Sequence, residues 1–407
     1  MLSKKMAMGI AFFGPIGNAI PILPMVPGFR FYELIVFLGV GYYLYNINED
    51  KKAMKNILLL CPFLLYVMFS ALVVSIYRAP ESMGDSLILR AVLWISFFIF
   101  FICLGERAIK FSKLDKELII VRYLQGYIVS MFFGYVLFIG YYLGLISFDI
   151  LEWVEVLPQE GYGLLRFAPG SYANEYGIVS SFALSVMTYI LLNSRYIDKV
   201  NEKFGGKKIY IVLSLMTFIA LFLTTTRAAY VSYFVVLFIL IITSKSKKAK
   251  IYSLIFMGLI ILVLSYIQEN IFDFMGILEV GYDAFINNEG SSAERLYMWN
   301  MAWGDFVEQY LLGCGYGTLA FLHNIYLQII FEMGFIGVML LILPLLYFTY
   351  NYIKIKKESS ELLIATTYIG LFHVLWFGMS NHNLQHHLTW YVVLLMFLCA
   401  KDREYDS

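Results

Sequence analysis

The residues best suited to chemistry in this chain are one histidine, His323, and a small set of arginines, each placed where an apolar run meets a polar loop. His323 and Asn324 open a long apolar run, so the imidazole falls at the N-terminal end of a helix, where the helix dipole disfavours imidazolium. A neutral imidazole at neutral pH serves as a general base toward a hydroxyl, and the neighbouring amide can orient the ring or a sugar. The approach is broken by Gly313, Gly315 and Gly317, and the helix after it carries two further breaks, Gly334 and Gly337. The plainer reading of His323 is a histidine that only hydrogen-bonds a loop carbonyl.

The arginines suggest an anion. Arg227, in Thr224-Thr225-Thr226-Arg227-Ala228-Ala229, sits in a tight turn between two apolar runs, at the start of the second. Arg166 lies shortly before Pro169-Gly170-Ser171, where a new helix is expected to begin with a serine cap. Guanidinium is a planar fork that binds phosphate oxygens bidentately, and helix N-termini favour anions as well. Together Arg227 and Arg166 could hold a diphosphate; singly, each could snorkel to lipid headgroups or cap a neighbouring helix. His382, His386 and His387 form a second polar cluster. The spacing of His382 and His386 would suit a metal if helical. No Cys or carboxylate partner stands at a recognisable spacing, so a polar turn lining the mouth of the site is expected, with no metal and no cofactor. His373, in the middle of an apolar run, reads as a packed and hydrogen-bonded histidine.

The elements that must position these groups are membrane helices. Of 407 residues 60% are hydrophobic and only 14% charged, more apolar surface than a soluble domain of this size can hide. The net charge of +1 says nothing about nucleic acid, but no basic tail exists to bind any, and no nucleic-acid partner is expected. Cys61, Cys103, Cys314 and Cys399 are scattered and imply no disulfide framework. Apolar runs of membrane length lie near 8–26, 31–46, 56–77, 87–104, 118–146, 171–192, 209–225, 228–243, 251–267, 325–349, 361–380 and 388–400. An all-α polytopic membrane protein with about twelve transmembrane helices is therefore expected.

Positive charge orients it. With the N-terminus inside, all 20 lysines fall in the inner segments, together with Arg107, Arg195, Arg403 and Arg122, the last just inside the fifth helix. Only Arg30, Arg78, Arg90, Arg166, Arg227 and Arg295 remain for the other face, and both termini are expected in the cytoplasm. That outer face has two long loops, 147–170 and 268–324, the second between helices nine and ten. They and the helix ends beside them are acidic: Glu152, Glu155, Glu160, Asp273, Glu279, Asp283. In the second loop Ser291-Ser292-Ala293-Glu294 reads as a capping box. Trp299, Trp303, Phe306 and Tyr310 follow as one apolar stripe, suited to a helix lying on the membrane surface.

At these residues, over about 160–350, the chain resembles the O-antigen polymerase and ligase superfamily of bacterial membrane glycosyltransferases, the Wzy and WaaL types. His323-Asn324, nine residues, then Gly334-Phe335-Ile336-Gly337 is similar to the ligase-type signature. Arg295, Trp299 and Gly313-Cys314-Gly315-Tyr316-Gly317 resemble the family's arginine–tryptophan helix and Gly-x-Gly turn. Thr226-Arg227-Ala228 resembles its Ser/Thr-Arg pair. Arg166, Gly170, Asn174 and Gly177 resemble its first arginine block, with Ala173-Asn174 where Pro-Asn is usual.

The resemblance implies a metal-independent inverting transferase of the GT-C type. It would act on undecaprenyl-diphosphate-linked glycan outside the bacterial inner (cytoplasmic) membrane. His323 would be the base, Arg227, Arg166 and Arg295 the diphosphate-binding groups, and Asn324 and Asn174 the acceptor-binding or orienting groups. The implied partners are the lipid-linked glycan, membrane lipid, a chain-length regulator and a flippase. Polymerisation of repeat units into O-antigen or capsule is preferred because tyrosine faces suit sugar. Transfer of the finished glycan to lipid A core is the alternative. The rival class, a twelve-helix transporter, predicts internal repeats and ionisable residues deep in the helices, which the sequence does not show at first reading.

Overall fold

Backbone N–H and C=O groups in hydrocarbon must be satisfied within the chain, so apolar runs in a membrane become helices. The computed structural model describes residues 2–16, 30–77, 87–147, 151, 166–169, 172–193, 195–196, 200–244, 251, 258, 290–319, 322–352, 359–380 and 385–400. Its regular elements are helices: α1 (Leu2–Phe13), α2 (Phe31–Tyr45), α3 (Lys51–Tyr77), α4 (Leu87–Ala108), α5 (Lys113–Tyr142) and α6 (Ala173–Leu192). They continue with α7 (Lys207–Leu223), α8 (Arg227–Thr243), α9 (Gly290–Glu308), α10 (Ile325–Tyr352), α11 (Glu361–Gly378) and α12 (His387–Cys399). Side-chain caps start some of them: Ser112 Oγ accepts the Asp115 N–H of α5, and Ser360 Oγ the Leu363 N–H of α11.

Among the described residues six helices, α3, α4, α5, α6, α10 and α11, are long and apolar enough to cross a membrane. Leu58, Leu65, Phe69 and Ile76 of α3 are each more than 60% exposed, an apolar stripe that only lipid would cover. The expected number of about twelve spans is not reached by this measure. α2, α8 and α12 are apolar but short, with 15, 17 and 13 residues. Apolarity marks a run, whereas its helical length is set by where caps and breaks fall. The expected span 251–267 lies outside the described residues but for two positions. So do most of 147–170, the loop acids and the loop up to 289.

Contacts sort the helix ends into two groups. At one end Lys4 pairs with Asp115, Arg107 approaches Asp50 at 3.5 Å, and Lys116 Nζ donates to the Leu398 carbonyl at 2.6 Å. At the other, Arg30 faces Glu175 at 3.6 Å with both side chains nearly enclosed, and Gln385 Nε2 donates to the Arg90 carbonyl at 3.0 Å. Between them the core is aromatic. Phe97, Phe101 and Trp390 stack, and Tyr123 lies on Tyr391. Tyr43, Tyr123, Tyr127, Tyr176, Tyr210, Tyr233 and Tyr391 are fully buried here, so these tyrosines are packing material and offer no face to a sugar. His373 is packed as its position suggested. Nδ1 donates to the Ile369 carbonyl, an acceptor only, so Nε2 accepts from Ser181.

Candidate active site

Two constructions stand out, one around Arg227 and one around His323. Arg227 is the first residue of α8, and the turn that delivers it is tightly wound. Thr224 closes α7, Thr225 adopts φ +51, and Thr224 Oγ1 accepts the Thr226 N–H at 3.3 Å. A β-branched residue at positive φ is strained and persists only when its surroundings hold it. Arg166 does the holding. Its Nε donates to the Thr224 carbonyl at 2.8 Å, and Nη2 to Thr226 Oγ1 at 2.9 Å and Asn174 Oδ1 at 3.1 Å. The Phe167 N–H adds a bond to the Leu223 carbonyl at 2.9 Å. α6 reaches the turn at Gly177, where a Cβ would meet Thr226 and Thr224. Arg166 is thus a buried clasp around the threonine turn. Arg227 is half-buried and makes no hydrogen bond or ion pair with any described residue. α6 itself begins at Ala173, with Tyr172 as N-cap, and Ser171 lies outside the described residues.

The histidine side is built on a broken helix. Within α10, Gly334 takes φ +62 and ψ −175, a combination open essentially to glycine alone. The break frees main-chain groups, and the glycine loop pairs with them. Cys314 N–H donates to Phe331 O at 2.8 Å and Gly315 N–H to Glu332 O at 3.0 Å. Phe335 N–H returns to Tyr310 O at 2.9 Å and Ile336 N–H to Leu311 O at 3.1 Å. Gly313 and Gly334 meet backbone to backbone, and a Cβ on either would collide with the other's main chain. Tyr66 of α3 seals the junction, its hydroxyl within hydrogen-bond distance of the carbonyls of Leu312 (2.7 Å) and Met333 (2.9 Å).

From this splice the chain runs to His323, half-buried at φ +48. Trp299 of α9 fixes the preceding residue, its Nε1 donating to the Leu322 carbonyl at 2.7 Å. Asn324 caps α10, its Oδ1 accepting the Tyr326 and Leu327 N–H groups at 3.1 Å. Met298, Trp299, Ala302 and Phe306 of α9 pack on Leu322, Leu327 and Phe331, whereas Trp303 and Tyr310 are each 56% exposed. α9 starts at Gly290, the expected apolar stripe is divided between protein and surroundings, and half-buried Arg295 sits one turn before Trp299.

α11 joins the two constructions. Tyr326, in the first turn of α10, donates to the Leu375 carbonyl at 2.9 Å and packs on Gly378. On the same stretch Trp376 Nε1 donates to the Ala228 carbonyl, beside Arg227, at 2.8 Å. The base candidate and the free arginine thereby share one end of the bundle. Nearby, His386 precedes α12 and is 1% exposed, with neither ring nitrogen hydrogen-bonded to a described residue. Burial pushes it down to about 4, the Glu175 charge opposing and Arg30 adding to the effect. His382 lies outside the described residues. Sequence reasoning missed Tyr66, Gln328 and Glu332. Glu332 had a signal, a lone carboxylate in an otherwise uncharged apolar run.

The architecture is that of a multi-pass, all-helical membrane protein with a histidine loop and an arginine turn at one end. Residues 211–342 match the family model described as O-antigen ligase. The match spans Arg227, Arg295, the glycine loop, His323, Asn324 and Gly334, and leaves Arg166 and Asn174 outside. Comparison with curated proteins gives no match.

Proposed function

We propose that the chain is a metal-independent, inverting glycosyltransferase of the GT-C type with about twelve spans, acting on undecaprenyl-diphosphate-linked glycan at the outer face of the cytoplasmic membrane. Arg227 supports this most: a half-buried guanidinium at a helix N-terminus, clasped in place from behind and without a protein partner among the described residues. Such a group suits an anionic ligand, and the helix N-terminus adds to it. His323 takes the proton of the acceptor hydroxyl as its oxygen attacks C1 of the donor sugar. The C1–O bond to the diphosphate breaks, its electron pair leaves with the diphosphate, and Arg227 stabilises the growing charge there. Arg166 holds the turn and adds its charge; Arg295 sets α9 against the loop, and Asn324 sets the helix behind His323.

The reaction we favour is polymerisation of repeat units. Transfer to a lipid A core is the second reading, and the family match is compatible with either reaction. The test is the surface-glycan gel of a deletion strain complemented with variants. Core bearing a single repeat unit supports the polymerase, bare core the ligase, and an unchanged glycan rejects both. Glycan of normal length and amount with His323→Ala and Arg227→Ala would sink the site.

A further inference from the structure

Glu332 lies on α10 between the histidine loop and the Gly334 break, fully buried, and the reaction above gives it nothing to do. Its Oε1 accepts the Leu319 N–H at 2.9 Å and Gln328 Nε2 at 3.2 Å, and the Gly317 N–H also faces the carboxyl group. With the Gly315 N–H on its main-chain carbonyl, Glu332 grips the glycine loop along the turn that leads to His323. Two acceptors in this pair of side chains make no hydrogen bond with any described residue: Glu332 Oε2 and Gln328 Oε1. One helical turn apart, they lie on the same face of α10. A buried acceptor left unpaired costs about 1–3 kcal/mol, and a buried carboxylate more. One proton on Oε2, donated to Gln328 Oε1, satisfies both while Oε1 keeps Leu319. Among the described residues, the charged and titratable groups that act on this carboxyl are Arg90 of α4 and Tyr316, which is stacked on Trp94.

We propose that Glu332 is a neutral carboxylic acid that positions the histidine loop, sharing its proton with Gln328 and holding Leu319. It is a positioning residue that touches no substrate, and its effect on rate rests on the reading of His323 as the base.

The experiment uses the full chain in lipid nanodiscs, with hydrogen exchange over 313–322 and glycan transfer from a lipid-diphosphate-linked donor as readouts. Glu332→Gln, the isostere of the neutral acid, keeps transfer within about threefold and the loop protected. Glu332→Ala lowers kcat by about tenfold or more with donor KM within about twofold, and loop exchange rises about tenfold. Glu332→Asp, too short to reach Leu319, behaves like Glu332→Ala. If Glu332→Ala does not accumulate, Gln328→Leu removes only the amide partner and must also raise loop exchange. An inactive Glu332→Gln with a protected loop overturns the neutral acid. Wild-type exchange in Glu332→Ala overturns the positioning role. An active His323→Ala would reject the base and leave the exchange readout to judge Glu332 by itself.

Discussion

At the lysine end of the bundle Lys116 and Glu106 are buried, but the ion pairs lie nearer the surface: Lys4 pairs with Asp115, and Arg195 faces Glu361 at 3.8 Å with side chains 75% and 71% exposed. At the arginine end, Arg30 and Glu175 pair at 11% and 3% exposure, Arg166 is bonded to threonine and asparagine oxygens, and Arg227 has no partner among the described residues. The first arrangement anchors helices in a headgroup layer and tolerates change. The second holds Arg30 and Arg166 in fixed geometry away from solvent and leaves Arg227 half-buried, an arrangement that would suit an anion.

That contrast can be broken by substitution. The largest effect is expected at Arg227: Arg227→Ala lowers glycan transfer by about a hundredfold or more, and Arg227→Lys, keeping charge without the fork, recovers only part of it. Lys4→Ala, scored in the same transfer assay, leaves the rate unchanged. Next is Glu175→Leu, which leaves the buried Arg30 guanidinium with only the Tyr32 hydroxyl and the Glu33 charge beside it and should cost about 3 kcal/mol of stability, read as a fall in thermal midpoint in detergent. Gly334→Ala follows, at about 1–3 kcal/mol from the backbone alone, with the collision against Gly313 added; unchanged stability would mean that the splice is not needed.

A smaller effect comes from His386. Its folded value of about 4 lies below the ordinary 6.5, so the unfolded chain takes the proton first as pH falls. Stability contributed by the neutral ring is whole above 6.5 and is lost toward 4, by about 2 kcal/mol at pH 5. Thermal midpoints at pH 7.5 and pH 5 measure it, and His386→Phe should flatten the difference. The smallest is Arg195→Ala at the exposed pair, within about 1 kcal/mol. A large loss there would erase the distinction between the two ends.

The helices and the two chemical groups were legible because each leaves a one-dimensional trace. Long apolar runs announce helices, and a histidine or a threonine–arginine step at the edge of such a run announces itself. What joins them leaves none. Tyr66 is one of 32 tyrosines, and nothing in its neighbours tells that its hydroxyl caps a splice some two hundred and fifty residues away. Gly334 reads as a break in a helix, but its cross-pairing with Gly313 depends on a chain reversal that no local pattern encodes. Arg166 reads as a phosphate ligand because guanidinium chemistry is the same toward a phosphate and a carbonyl. Only the Thr224 and Thr226 oxygens around it decide where its donors go.

The splice at Gly334 is made of main-chain hydrogen bonds, which carry no side-chain identity. Leu311 and Leu312, whose carbonyls take part, leave their own side chains 47% and 59% exposed. Drift at such positions can change what the loop presents to its surroundings, while the main-chain bonds at the glycines keep the loop that leads to His323 in place. Surface character and loop placement are thereby assigned to separate atoms of the same residues, so one can evolve without the other.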